Sequence, residues 1–333
     1  MQDRTKMYKH LMNGFSFMIP FVVAGGIFLA LSSLSIFEPI SLWMEETGTV
    51  TFQYILPILA GYISYSIADR PGILPGFIAG ALALNGDSGF IGAILGGFAA
   101  GYSVELLKLL TKKIPRSVIS MKTILILPIF GLLLASLSML LINFLFSPIS
   151  IYLETAIVEL NGIPLIIVAL IAGALMAFDL GGPINKIVYL IGVIAIFHAH
   201  SSILMASIMA AGMTPPLGVA LSTFLFKKLY TEEEQKIGKS NWITGASFIT
   251  EGAIPFAKKD PKVMRPALII GSMLAAVIVA IFGVSVPAPH GGIFVVFLMS
   301  NWWGFLIAIT VGMVASALYI GIFTKEIDEF DQL

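Results

Sequence analysis

The chain has 333 residues, 58% of them hydrophobic, with 19 basic and 19 acidic side chains and 0 cysteines. Charged residues are 11% of the total, against about 25% in soluble domains, and the mean hydropathy is +0.97; this excludes a water-soluble globular domain and points to an all-α integral membrane protein. Balanced charge without a long basic run excludes nucleic acid as a partner, and the absence of cysteine excludes disulfides, thiolate metal sites and a cysteine nucleophile.

At about 20 residues per crossing, the length accommodates about 8–10 transmembrane helices. Apolar runs cover 11–37, 50–68, 73–84, 89–110, 123–146, 163–178, 187–211, 215–230, 263–286 and 293–322. Arg4, Lys6 and Lys9 precede the first run as in a signal peptide, but no small-residue cleavage pattern ends it, so it reads as a retained helix. The run 73–84 follows Asp69-Arg70-Pro71-Gly72 and has about half the spanning length, which marks a broken segment lining a cavity. The pairs Gly76/Gly80, Gly92/Gly96 and Gly97/Gly101 allow close approach of helix backbones, as internal packing or as a dimer seam.

Basic residues set the expected orientation. With Arg4, Lys6 and Lys9 inside, Arg70, Lys108, Lys112, Lys113, Arg116 and Lys122 fall inside by alternation, while the loops with Glu38, Glu45, Glu46, Asp87, Glu154 and Glu159 fall outside. The second half continues the pattern, and both termini are expected in the cytoplasm. Residues 147–162, SPISIYLETAIVELNG, are too polar to span and read as an amphipathic interfacial linker between an N-terminal half, 1–146, and a C-terminal half, 163–333.

The second half holds polar groups that cost at least a few kcal/mol in hydrocarbon unless paired or hydrated. In AFDLGGPINK, 177–186, a Gly181-Gly182-Pro183 break exposes backbone groups that suit a polyhydroxylated ligand. Asp179, Asn185 and Lys186 flank it, with Asp179 and Lys186 either paired across the turn or contacting the ligand. His198 and His200, two residues apart, point away from each other on a helix and suit packing or gating rather than a metal. Two adjacent prolines in Met213-Thr214-Pro215-Pro216 are expected to interrupt a helix.

The segment 240–261 lies between Lys236/Lys239 and Lys258/Lys259/Lys262. Roughly 18 residues cannot cross twice at 1.5 Å each, so it forms a re-entrant hairpin or a surface loop. A hairpin places Glu251 near its tip between Thr250 and Gly252, where the carboxylate either acts as general base toward a ligand hydroxyl or caps a turn. PAPHGG, 287–292, is another break, and His290 there is a hydroxyl-binding candidate or a satisfied loop residue. No HExxH, Walker A or GxSxG run is present, and neither metal nor cofactor is expected.

GFSFMIPFVVAGGIFLALS (14–32), GYISYSIADRPGILPGF (61–77), AFDLGGPINK, GMTPPLG (212–218), ITEGAIPFAKKDP (249–261) and APHGG (288–292) together resemble the fructose-type IIC component of the bacterial phosphoenolpyruvate-dependent sugar phosphotransferase system (PTS), in order along nearly the whole chain. The resemblance implies a multi-pass permease of the bacterial cytoplasmic membrane, with the broken helices and re-entrant hairpins of that superfamily. Such a permease binds a sugar, by default fructose or a fructose-like sugar, and presents it to phosphorylated IIB, itself charged by IIA. It is thus the membrane subunit of a protein-phosphocysteine-sugar phosphotransferase. The resemblance further implies a homodimer whose first half is scaffold and whose second half carries sugar, and a role for Glu251 beside the acceptor hydroxyl. With no cysteine, the chain is expected to be the bare membrane module, served by a separate IIB docking near Lys227, Lys228, Lys258, Lys259, Lys262 and Arg265, although these residues also fit plain topology signalling. An ion-coupled transporter or facilitator of an unmodified sugar or polyol, using Asp179, Lys186 and Glu251, is the competing reading.

Overall fold

In hydrocarbon every backbone N–H and C=O must find its partner inside the protein, and for a sequence this apolar the helix is the solution. The computed structural model describes residues 2–32, 38–115, 119–199 and 202–324, without the side chains of 2–5 and 197–199. Among these residues the extended structure is one isolated antiparallel bridge, Ser202 to Val286. Among the described residues seven helices are long and apolar enough to cross a membrane, accompanied by two shorter apolar helices, Gly162–Phe178 and Pro183–Ile196. The all-helical membrane architecture expected from composition is what forms. Two compact units divide the chain, Met1–Ala156 and Ile157–Leu333.

The first unit contains α1 (Gln2–Ser32), α2 (Glu38–Gln53), α3 (Ile55–Ala68), α4 (Arg70–Asn85), α5 (Gly89–Leu110), the single turn α6 (Ile119–Met121) and, after a π-helical turn over Lys122–Ile126, α7 (Leu127–Val158). Pro71 sits in the first turn of α4, where its missing N–H costs nothing, so α4 begins at Arg70 and reaches 16 residues. A Cβ on Gly76, Gly80 or Gly97 would stand 2.3–2.9 Å from backbone atoms of Leu56, Pro57, Ala60 or Gly61 in α3; these small residues serve packing within the chain. At one end of the unit Lys108 donates to Ala68 O at 2.8 Å and Lys122 to Thr111 O at 3.2 Å, which satisfies carbonyls at the ends of α3 and α5. At the opposite end of α5, Asn143 donates to Leu82 O at 3.0 Å and Ser150 to Ser88 O at 2.8 Å, tying α7 to the turn that carries Asp87.

Along α7 the side chains of Ile129, Leu133, Leu137, Leu140 and Phe144 are exposed, an apolar stripe for lipid to cover. Helical structure from 119 to 158 amounts to about 60 Å, twice the hydrocarbon thickness of about 30 Å. Residues 147–158, expected as the start of a separate linker, therefore continue α7, and the helix breaks only at 159–161.

The second unit contains α8 (Gly162–Phe178), α9 (Pro183–Ala199), α10 (Ile203–Leu225), α11 (Glu232–Ala246), α12 (Ile254–Lys259), α13 (Pro261–Ile281) and α14 (Trp302–Phe323). The apolar run 187–211 is split between α9 and α10, with Ser202 Oγ accepting from Met205 N to cap α10. Residues 204–220 of α10 are all buried, making it the axis of the unit. The expected break at Met213-Thr214-Pro215-Pro216 does not occur, and α10 runs through both prolines. Pro215 and Pro216 deprive the carbonyls of Ala211 and Gly212 of helical donors, and side chains from elsewhere replace them. Ser272 Oγ donates to Ala211 O at 2.8 Å, and Thr250 Oγ1 to Gly212 O at 3.0 Å. Removing either donor strands a buried carbonyl, so Ser272→Ala and Thr250→Val are each expected to cost about 1–3 kcal/mol; thermal unfolding of detergent-solubilised protein will read this as a lowered midpoint.

Candidate functional site

Of the two forms expected for 240–261, a hairpin or a surface loop, the chain takes a helical hairpin that starts earlier, at Glu232, and local chemistry accounts for each limb. Thr231 opens α11 with a reciprocal cap, its hydroxyl accepting from Glu234 N at 3.3 Å while Glu234 Oε2 accepts from Thr231 N at 2.9 Å. The chain turns after Ala246 and returns as a 3-10 turn over Thr250–Ala253 and the short α12. Asn241, 1% exposed, donates to Gly252 O at 3.0 Å and joins the limbs. Lys259 pairs with Glu234 at 2.7 Å across the exposed feet, while Phe256 is buried against Tyr230, ring centroids 5.8 Å apart. Asp260 then caps α13 by accepting from Val263 N at 3.3 Å.

Glu251 is exposed at the tip of this hairpin, and the tip lies against the Gly-Gly-Pro turn. Gly181 has φ +99°, and a Cβ there would lie 2.6 Å from both Cδ and Oε1 of Glu251. Glycine serves both needs, since it reaches positive φ without strain and leaves room for the carboxylate. Asp179 accepts from Ile184 N at 2.7 Å and Asn185 N at 3.0 Å, so its carboxylate satisfies first-turn donors of α9 and folds back over Gly182. Asn185 is buried and donates to Met176 O at 2.7 Å, locking α9 to the last turn of α8. Lys186 is partly buried and forms no ion pair with Asp179; its ammonium lies in the field of Glu251 first and Asp179 second.

The structure thus brings Asp179, Gly181, Gly182, Lys186 and Glu251 together, with Asp179 capping a helix rather than pairing across the turn. Thr250, 3% exposed, is spent on the orphan carbonyl of Gly212, and Gly252 packs against Asn241. Both hold the tip in place.

His290 stands in a neighbouring aromatic cluster. Its ring lies 5.0 Å from that of Phe248 and 6.0 Å, edge-on, from that of Tyr189. Phe248 belongs to the turn that carries Glu251, and Tyr189 lies one turn beyond Lys186 on α9, so the cluster adjoins the carboxylate end of the site. Phe248 holds φ +64°, costly for a bulky residue, and its ring passes over Gly212, where a Cβ would come within 2.3 Å of it. His290 lies in the loop between α13 and the 3-10 turn over Gly292–Leu298, outside the spanning helices. Its Nδ1 accepts from Gly291 N at 2.8 Å, which leaves the proton of the neutral ring on Nε2.

Burial pushes the His290 imidazole down to about 4. A pKa lower in the folded than in the unfolded protein means that the native state binds fewer protons, so this contribution to stability is complete above pH 6.5 and is lost as pH falls toward 4. Wild-type protein is therefore expected to lose more thermal stability between pH 6.5 and 4 than His290→Gln, in paired unfolding scans.

Sequence reasoning did not single out Asn241, Tyr189 or Phe248. Tyr189 had one usable signal, its i,i+3 spacing from Lys186; the other two act through contacts made only in the folded hairpin. His200 and the side chain of His198 lie outside the described residues. Among the described residues no group of three or more His, Asp or Glu side chains could hold a metal. A cavity of about 140 Å³ lined by Ile157, Leu160, Leu165, Ala195, Ser202 and Leu204 shares no residue with the site.

A family model described as phosphotransferase system, EIIC matches residues 12–271. The chain is 38% identical over 336 residues to the PTS system fructose-specific EIIABC component of Bacillus subtilis (strain 168), covering 97% of this chain and 52% of that protein. It therefore spans about half the length of that relative. It is 40% identical over 276 residues to the fructose permease IIC component of Bacillus amyloliquefaciens, covering 83% and 90% of the two. It is 34% identical over 328 residues to the fructose-like permease IIC component 2 of Escherichia coli (strain K12), covering 94% and 89%.

Proposed function

The chain belongs to the phosphotransferase system EIIC family, and from that premise we propose that it binds fructose or a fructose-like sugar, carries it across the bacterial cytoplasmic membrane and presents one hydroxyl to a phosphorylated IIB protein or domain. The relatives' names support the substrate and, through EIIABC, the partner. In the transfer step the sugar oxygen attacks the phosphorus held on the IIB cysteine, the P–S bond breaks, the thiolate leaves, and Glu251 accepts the hydroxyl proton. The chain then acts as the membrane subunit of a protein-phosphocysteine-sugar phosphotransferase.

One observation carries this reading: the Glu251 carboxylate, at the hairpin tip, lies directly over Gly181 in the partly exposed Gly-Gly-Pro turn. Lys186 beside it suits the negative charge of an incoming phosphoryl group. In this reading Asp179, Gly182, Asn185, Thr250 and Gly252 shape the site, His290 offers a hydroxyl ligand its Nε2–H, and no metal or cofactor takes part.

The division of labour belongs to the same proposal. The first unit serves as scaffold and homodimer contact, and the second carries sugar. Lys227, Lys228, Lys258, Lys259, Lys262 and Arg265 are all exposed on segments that meet through a shared core of Leu229, Tyr230, Phe256, Ala257 and Met264. They supply a basic docking face for IIB at the cytoplasmic end, the side on which the basic-residue pattern also puts both termini. The test is to mix detergent-solubilised protein, labelled fructose and phosphorylated IIB: sugar phosphate formed only when all three are present supports the proposal, and a donor that stays phosphorylated contradicts it.

A further inference from the structure

We propose that the Tyr189 hydroxyl is a sugar-binding group which, with Nε2–H of His290, holds a second hydroxyl of the same ligand whose acceptor hydroxyl lies at Glu251. The inference rests on the functional reading above and adds a residue that sets specificity within it. Tyr189 is 6% exposed, and its hydroxyl has no hydrogen-bond partner among the described residues. Burying a hydroxyl unpaired is unfavourable, and buried side-chain oxygens almost always find a partner. Among the described residues the only other buried side-chain oxygen without a partner is Thr324 Oγ1, just past the end of α14.

Packing does not account for the phenol. The ring of Tyr189 contacts those of Phe248 and His290, each at 6.0 Å between centroids, and a phenylalanine ring would make both contacts. What tyrosine adds is one donor and one acceptor at a place where none of the described residues meets them. The three rings pack as one aromatic cluster that carries two polar groups, the phenol hydroxyl and the imidazole Nε2–H. Sugars suit this arrangement because they present apolar C–H faces beside hydroxyls that both donate and accept, and ligand sites are typically mostly apolar with a few placed polar groups. The i,i+3 spacing of Lys186 and Tyr189 puts the cluster on the same side of α9 as the lysine, and its Phe248 lies in the turn just before Glu251, so in this proposal one ligand lies between Glu251 and Tyr189.

The test is Tyr189→Phe, which removes the hydroxyl and keeps the ring. Calorimetric titration of the solubilised protein with fructose is expected to show affinity about 10-fold weaker than wild type, with a thermal midpoint in the absence of sugar equal to or above wild type. The decisive part uses a set of monodeoxyfructoses. One of them should bind wild type at least about 10-fold more weakly than fructose does, yet lose clearly less affinity relative to fructose in Tyr189→Phe, because the tyrosine's hydrogen bond is already gone and only that of His290 remains to be lost. Unchanged affinity of Tyr189→Phe for fructose, or losses that add for every analogue, overturns the proposal. Sugar binding that responds as expected, in a protein that makes no sugar phosphate with donor, would instead overturn the phosphotransfer reading and leave this one standing.

Discussion

Glu251→Gln is expected to lower donor-dependent phosphorylation of fructose by about 10²- to 10⁴-fold, the range for removal of a general acid–base group, while fructose affinity stays within about 3-fold of wild type. Glutamine keeps the shape of the side chain and one acceptor oxygen, so the space over Gly181 stays filled and the hairpin tip keeps its anchors, Thr250 to Gly212 O and Asn241 to Gly252 O. What disappears is the ability to take a proton. The loss should therefore fall on kcat and spare binding, the signature of an interaction made in the transition state. Equal losses in binding and turnover would make Glu251 a ligand-holding residue, and unchanged turnover would remove it from the chemistry.

Gly181→Ala is expected to abolish the same activity by a different route. At φ +99° a Cβ adds strain of about 1–3 kcal/mol, and it would stand 2.6 Å from the Glu251 carboxylate, closer than nonbonded atoms approach. Either the turn or the carboxylate must move. A misplacement of about 1 Å at a reacting group costs about 10²-fold in rate, so turnover should drop at least that far with a modest fall in thermal midpoint. Gly182→Ala is the control. Its φ is not positive, and its Cβ would meet Asp179 instead, so it should disturb the α9 cap more than Glu251. Kinetics and unfolding midpoints for both variants separate the two effects.

Composition and basic-residue spacing carried much of this organisation. The hairpin was legible because a segment bracketed by lysines was too short to cross twice, an argument from rise per residue that needs no tertiary contact. The turn at Gly181 was legible from its glycines and proline. Continuity through Pro215 and Pro216 was not, because local rules end a helix where carbonyls lose their donors, and the replacements come from Ser272 and Thr250, 61 and 38 residues away. The same distance in sequence hid the contact of Thr250, whose hydroxyl serves a helix remote from its own segment. Asp179 and Lys186 could be read equally as an ion pair or as ligand contacts because opposite charges flank one turn, whereas in the fold the carboxylate satisfies backbone donors of α9 and forms no ion pair with the lysine. The role of Asp179 could have been read from its place just before a Pro-started helix. The partnerless phenol of Tyr189 could not, since whether a hydroxyl is satisfied is a property of the packed site.

The account stands most directly on coupling between transport and phosphoryl transfer. Vesicles containing the protein should be given radiolabelled fructose outside, with phosphorylated or unphosphorylated IIB enclosed. The account predicts accumulation as sugar phosphate with the phosphorylated donor alone, whereas accumulation of free fructose regardless of donor would contradict it and identify a facilitator or ion-coupled carrier.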